Sequence, residues 1–206
     1  MTYERGKREP VIAIGTSTGG TRALASLLPE LPASGPGVLI VQHMPGGFTA
    51  AFARRLDALC TMKVREARDG EVLVPGLALL APGNRHMVLE SVGRGYAVRI
   101  TDAPPAHHQR PSVDVLFESV ARSAGRDAVG VVLTGMGGDG ARGLLEMRAA
   151  GAHTIAEDES TCAVYGMPRE AVRLGAACEV LPLPSIARAA LAALKYGSKL
   201  RVQGAT

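Results

Sequence analysis

The stretch Val11-Ile-Ala-Ile-Gly-Thr-Ser-Thr-Gly-Gly20 decides how the chain is read. Residues 11–14 are apolar, residues 15–20 are rich in glycine, and residues 21–28 are rich in alanine and leucine. That order spells strand, turn and helix. A run apolar at every position suits a strand buried on both faces of a parallel sheet. The spacing Gly15-x-Ser17-x-Gly19 matches the nucleophile-elbow pattern of serine hydrolases. Glycines on either side of Ser17 would let the backbone turn sharply and leave the hydroxyl exposed. The same residues would also serve as a phosphate cradle or a plain tight turn. A nucleophilic serine therefore requires a base and an acid from elsewhere in the chain.

The alternation recurs beyond this stretch. Residues 38–41 are a second buried run, and 48–59 read as an amphipathic helix. Phe48, Ala51, Phe52, Leu56 and Leu59 form its apolar stripe, with Arg54, Arg55 and Asp57 off it. Residues 64–67 and 77–81 predict two more strands, and 87–90 with 96–100 a β-hairpin across the glycine-bearing turn 92–95. An irregular loop, 101–110, carries His107 and His108. Pro111 suits the first turn of a helix that continues through Val113, Leu116, Phe117 and Val120. Then follow a strand at 129–133, a glycine loop at 134–140, a helix at 141–150 and a strand at 152–156. A helix at 167–174, a short strand near Val180 and a helix at 185–195 complete the pattern. Repeated buried strand, turn and helix imply βαβ units with right-handed crossovers. The expected fold is a single α/β domain over residues 10–195. Its doubly wound, mostly parallel sheet has flanking helices and an antiparallel β-hairpin addition, with polar tails at 1–9 and 196–206.

Composition sets the outer limits. The 206 residues are 47% hydrophobic and 20% charged, enough for one substantial core. With three Phe, four Tyr and no Trp, that core must be built from Val, Leu, Ile and Ala. The net charge of +4 is mild and spread out, and stacking platforms are few, which argues against nucleic acid as a partner. An acidic protein surface fits better. No apolar run approaches the ~20 residues of a membrane span, and residues 1–9 hold no signal-peptide core, so a cytoplasmic location without membrane insertion is expected. Cys60, Cys162 and Cys178 are odd in number and far apart, and read as small buried apolar residues.

In open α/β sheets, ligands bind beyond the carboxyl ends of the strands. Ser17 follows the first strand, His43 the second, and Asp139 lies in the glycine loop after 129–133. A serine hydroxyl needs a neighbouring base to take its proton. Imidazole can take and return that proton near neutral pH. A carboxylate behind it fixes the tautomer and stabilises the imidazolium. Singly, His43 reads as an ordinary strand-end residue and Asp139 as a helix cap; together at one edge they make a hydrolytic set. Met136 and the adjacent glycines offer amides to an oxyanion or a phosphate alike. Thr21 stands where a P-loop needs Lys, which counts against the phosphate reading. No His or Cys pair has a familiar zinc spacing, and His107 and His108 read as solvated loop residues. The order Ser, His, Asp differs from that of the α/β-hydrolases.

Several motifs, in one order, carry a resemblance: Gly15-Thr-Ser-Thr-Gly-Gly20, Gln42-His-Met-Pro45 with Gly47-Phe-Thr49, Ala81-Pro-Gly83 with His86, Arg110-Pro-Ser-Val-Asp-Val-Leu-Phe117 and Leu133-Thr-Gly-Met-Gly-Gly-Asp-Gly140. Over about residues 10–195 the chain resembles the catalytic domain of the chemotaxis protein-glutamate methylesterases (CheB-type). The resemblance implies hydrolysis of glutamyl methyl esters on chemoreceptor cytoplasmic helices with release of methanol, and deamidation of receptor glutamines in some members. It makes Ser17 the nucleophile, His43 the base and Asp139 the orienting acid, with oxyanion donors at the Thr18 and Met136 amides. It implies no cofactor and no metal. Members commonly carry a receiver domain, whereas here only residues 1–10 precede the first strand. The expectation is therefore a free-standing domain, constitutively active or controlled by a separate regulatory protein. Gln109 replaces the His that members usually carry there, and is expected to tune loop packing. The competing expectation is an esterase-fold signalling module that acts on a non-chemotaxis protein or serves as a scaffold.

Overall fold

The computed structural model describes residues 8–203; residues 1–7 and 204–206 of the expected tails lie outside the described residues. The chain begins with β1 (Val11–Thr16), α1 (Gly20–Leu27), β2 (Gly37–Gln42) and α2 (Thr49–Asp57). It continues through β3 (Lys63–Glu66), β4 (Val72–Leu73), β5 (Leu77–Leu80), β6 (His86–Val92) and β7 (Gly95–Thr101). The second half runs α3 (Val113–Ser123), β8 (Ala128–Val132), α4 (Ala141–Ala149), β9 (His153–Glu157), α5 (Met167–Arg173), β10 (Glu179–Leu181) and α6 (Leu183–Gln203).

Seven strands form one sheet in the order β10-β9-β8-β1-β2-β5-β3, and every pairing in it is parallel. Central β1 pairs with β2 from Val11↔Gly37 to Thr16↔Gln42, and with β8 from Val11↔Ala128 to Gly15↔Val132. From β1 the chain builds outward on one side, then returns to β8 and builds outward on the other. The switch point, where a crevice opens beyond the strand ends, therefore lies between β1 and β8.

Alternate residues of the central strands feed two cores. Val11, Ala13, Leu39 and Val41 face α3, α4 and the small sheet, through partners such as Leu116, Phe117, Leu144, Met87 and Val98. Ile12, Ile14, Val38 and Ile40 face α1, α2 and α6, through Leu24, Leu27, Phe52, Leu56 and Ile186. Each fully buried Ile, Leu or Val contributes about 1.5–3 kcal/mol over its exposed state, which is why residues 11–14 carry no polar position.

Some expectations need correction. The hairpin is longer than expected, from His86↔Thr101 to Val92↔Gly95, and β4 joins it to make a three-stranded antiparallel sheet. Phe48 and Leu59 fall outside α2 and, like Ala51, are exposed; the apolar side of the helix is Phe52, Ala53 and Leu56. Arg54 and Arg55 lie on the exposed side, as expected. Pro111 stands before α3, because Ser112 takes the N-cap position and accepts from the Val115 amide. The helix α6 begins at Leu183 and its backbone continues past 195 to Gln203, through residues that include good helix formers and no proline. Cys60 and Cys162 are half-buried and Cys178 is exposed, so none is the buried apolar residue expected.

Candidate active site

The turn that carries Ser17 differs from an elbow. Gly15 lies inside β1, paired with Val41 and Val132, and a β-carbon there would overlap Val113 at the start of α3. Its role is close packing of α3 on the sheet rather than chain reversal. Ser17 is absent from the residues with positive φ, and the left-handed residue is Gly19 at φ 86, which starts α1. Ser17 thus leaves β1 in ordinary backbone geometry, half-buried, without the strain of a hydrolase elbow.

Neighbouring strands lock the turn. The Ser17 amide donates to Thr134 O (3.0 Å), and the Thr16 hydroxyl donates to the same carbonyl (2.8 Å). One side-chain amide, Gln42 Nε2, donates to both Ser17 O (2.9 Å) and His43 O (3.0 Å). Buried Glu157 accepts from the Thr134 amide (2.8 Å), and Thr134 Oγ1 donates to Thr18 O (3.0 Å). The ends of β1, β2, β8 and β9 are therefore tied to one another through named polar groups.

His43 continues β2, its amide donating to Thr16 O (3.0 Å). Its side chain is 7% exposed, and Nε2 lies 2.7 Å from Asp139 Oδ2. Asp139 is buried after β8 and accepts three further bonds: the Ser112 hydroxyl (2.8 Å) and Asp114 amide (3.0 Å) on Oδ1, and the Val113 amide (2.8 Å) on Oδ2. Burial pushes the Asp139 carboxyl up, but His43, the two α3 amides and the Ser112 hydroxyl outweigh it and hold the group below the usual carboxylate range. An ionised carboxylate at a helix N-terminus is also favoured by the helix dipole. It therefore accepts the Nε2 proton of His43 and leaves Nδ1 with the lone pair, the arrangement a general base requires. The Ser17 hydroxyl has no hydrogen bond to the ring among the described residues, and free-state geometry of this kind commonly tightens on substrate.

The Thr18 and Met136 amides donate to no acceptor among the described residues, and both residues are exposed, Met136 by 76%. Both loop histidines are exposed, as expected, but His107 also places Nε2 2.8 Å from Asp114 Oδ2, a contact the solvated reading did not include. Ligand atoms of His107, Asp114 and Asp139 lie within 4.8 Å of one another. Both Asp139 oxygens already accept two hydrogen bonds, which leaves two free ligands where a catalytic zinc takes three. Gln109 pairs through its main chain with Ala106 across the tight turn that carries His107 and His108. Sequence reasoning missed Ser112, His86 and Asp114 as parts of the site. The signal for Ser112 was present, a serine directly before a helical run.

Comparison with known proteins bears on the family and the fold. Residues 12–190 match the CheB methylesterase family model. The fold superposes on the Thermotoga maritima CheB methylesterase catalytic domain with a TM-score of 0.87 and 37% identity, covering 89% of this chain and 98% of that one. A protein-glutamate methylesterase/protein-glutamine glutaminase of Anaeromyxobacter dehalogenans is 62% identical over 178 residues, 86% of this chain and 49% of the relative. Its namesake in Escherichia coli K12 is 54% identical over 194 residues, 94% of this chain and 56% of the relative. The chain thus spans about half the length of these relatives. With the parallel sheet, the His43–Asp139 pair at its switch point and the family match over residues 12–190, the chain belongs to the CheB methylesterase family.

Proposed function

We propose that the chain is a serine hydrolase of protein glutamyl methyl esters. Ser17 Oγ attacks the ester carbonyl while His43 Nδ1 takes its proton, and Asp139 holds the ring through Nε2–H. The tetrahedral oxyanion is held by the Thr18 and Met136 amides, which have no competing acceptor among the described residues. Collapse breaks the bond to methoxide, which leaves as methanol with the proton from His43. Water, deprotonated by the same ring, then attacks the acyl-serine and frees the glutamate carboxylate and Ser17. The same cycle on a glutamine side chain releases ammonia, consistent with the double name of the relatives. The substrate proposed is the methylated cytoplasmic domain of a chemoreceptor. No metal or cofactor enters any step.

The observation that carries this reading is the buried 2.7 Å contact of His43 with a carboxylate held ionised, next to Ser17 at the sheet edge. Ser17→Ala, folded by circular dichroism, is expected to release methanol from methylated receptor several orders of magnitude more slowly than the parent. Release at the parent rate would rule the mechanism out.

A further inference from the structure

We propose that Asp114 and His107 are positioning residues that extend the Ser17, His43, Asp139 set outward. They clamp the two helix starts between which the Asp139 carboxylate is held. The proposal rests on the hydrolytic reading of that set.

The two aspartates cap each other's helices. Asp139, in the loop that leads into α4, accepts from the Val113 and Asp114 amides at the start of α3. Asp114, in the first turn of α3, accepts from the Gly143 amide in the first turn of α4 through Oδ1 (2.7 Å). Neither helix start can shift without carrying the other aspartate along, so the position of Asp139 against His43 depends on Asp114.

The second oxygen of Asp114 needs a partner. Asp114 is buried, and among the described residues Oδ2 has no hydrogen bond; its near polar neighbour is His107 Nε2 at 2.8 Å. A buried carboxylate oxygen without compensation is costly, and His107 is the side chain placed to supply that compensation. Burial raises the Asp114 carboxyl, with the Asp139 charge adding to the effect, while the Gly143 amide and His107 act against it.

The turn that delivers His107 is itself unusual. Ala106 and Gln109 exchange both main-chain hydrogen bonds (3.1 and 2.8 Å), and between them His107 and His108 have φ values of 49 and 59. Two successive left-handed residues are the geometry of a type I′ turn, where Asn-Gly is preferred and a bulky side chain is strained. Histidine at this position is therefore explained by its contact with Asp114 and not by the turn. His86 anchors the loop behind it. Its Nδ1 accepts from the Ser112 amide (3.2 Å), so Nε2 carries the proton and donates to Pro104 O (3.1 Å). Ser112 is the residue whose hydroxyl reaches Asp139. The loop and the carboxylate are thus joined twice, through His107–Asp114 and through His86–Ser112.

The test uses Asp114→Ala, Asp114→Asn and His107→Ala in the full chain, with melting temperature as a check on folding. Two quantities are read: kcat and KM for release of methanol, and the ring N–H signal of His43 in ¹⁵N-labelled protein. Asp114→Ala is expected to lower kcat by about 10- to 100-fold with KM within about twofold, the size expected for a shift near 1 Å at a reacting group. It should also displace the His43 signal. Asp114→Asn, which still offers an oxygen to the Gly143 amide, should restore most of both. His107→Ala should act in the same direction but less strongly, and should add nothing in the Asp114→Ala background. An unmoved His43 signal in folded Asp114→Ala overturns the proposal, as does a kcat loss that Asp114→Asn leaves uncorrected. Should Asp114→Ala fail to fold, the exposed His107 decides: a parent-like signal and kcat in His107→Ala overturn it. If the parent releases no methanol, the hydrolytic reading fails, while the ring signal still reports whether Asp114 positions His43.

Discussion

Asp139 shows how one side chain can do several jobs at once. It receives four donors on two oxygens, and so has no lone-pair direction free for disorder. Three of those donors belong to residues 112–114, which fixes the carboxylate before it meets His43. Asp139→Asn retains the shape but presents an amide that can offer N–H to Nε2, which would reverse the ring tautomer. Methanol release is expected to fall by about 10⁴-fold, as when the orienting Asp of a serine protease is made Asn. The His43 ring nitrogens should exchange protonation in the ¹⁵N spectrum of the same variant. A rate within tenfold of the parent would mean that Asp139 only caps α3. This residue was legible in the sequence because it follows an apolar run in a glycine loop. Its alternative reading, as a cap of the helix that begins near Ala141, fails: α4 has no side-chain cap bond, and the carboxylate accepts instead from the Val113 and Asp114 amides at the start of α3.

At the scale of the element, α3 is the part that joins fold to chemistry. Its N-cap, Ser112, uses one hydroxyl to accept from the Val115 amide (3.4 Å) and to donate to Asp139 (2.8 Å). Ser112→Ala should therefore cost about 1 kcal/mol of stability for the lost cap, with further loss for the buried carboxylate it leaves one donor short. Ser112→Thr should recover most of it. The midpoint of urea unfolding measures both, and equal midpoints for the parent and Ser112→Ala would contradict the assignment. The buried strands were legible because parallel strands covered on both faces read as unbroken apolar runs. β4 was not, since two residues, Val72 and Leu73, carry no periodicity. The stripe assigned to α2 failed at its ends, because Phe48 and Leu59 lie beyond the helix that runs from Thr49 to Asp57. Asp114 and His107 were not legible as a pair. Their contact depends on a turn conformation disfavoured for histidine and on how α3 meets α4, neither of which leaves a trace in local sequence.

Across the whole molecule, the position of β5 between β2 and β3 could not be read either, since strand order depends on crossovers rather than on the strands themselves. What that order produces is a buried carboxylate pair beside the sheet's switch point, and the pair makes stability depend on pH in two opposing ways. The folded state holds the Asp139 carboxyl below its ordinary value, so its contribution is present above the usual Asp range and lost as pH falls through the lowered value. The Asp114 carboxyl is raised, chiefly by burial, so its contribution is present below the usual Asp range and lost as pH rises through the raised value. Asp57, Asp102 and Asp158 are also lowered, by Lys63, Arg85 and Ser160 respectively, but they lie in contact with solvent and are shared by every variant. Glu118 is raised, chiefly by burial and the Glu146 charge, with smaller contributions from Asp114 and Asp139, so differences between variants report the pair together with its effect on Glu118. Urea unfolding between about pH 3 and 7 should show Asp139→Asn losing less stability on acidification than the parent. Asp114→Asn should gain on the parent as pH rises from the acid end toward neutrality. Parallel curves for all three proteins would mean that neither carboxyl is held away from its ordinary value, and would remove the electrostatic basis for an ionised Asp139 behind His43.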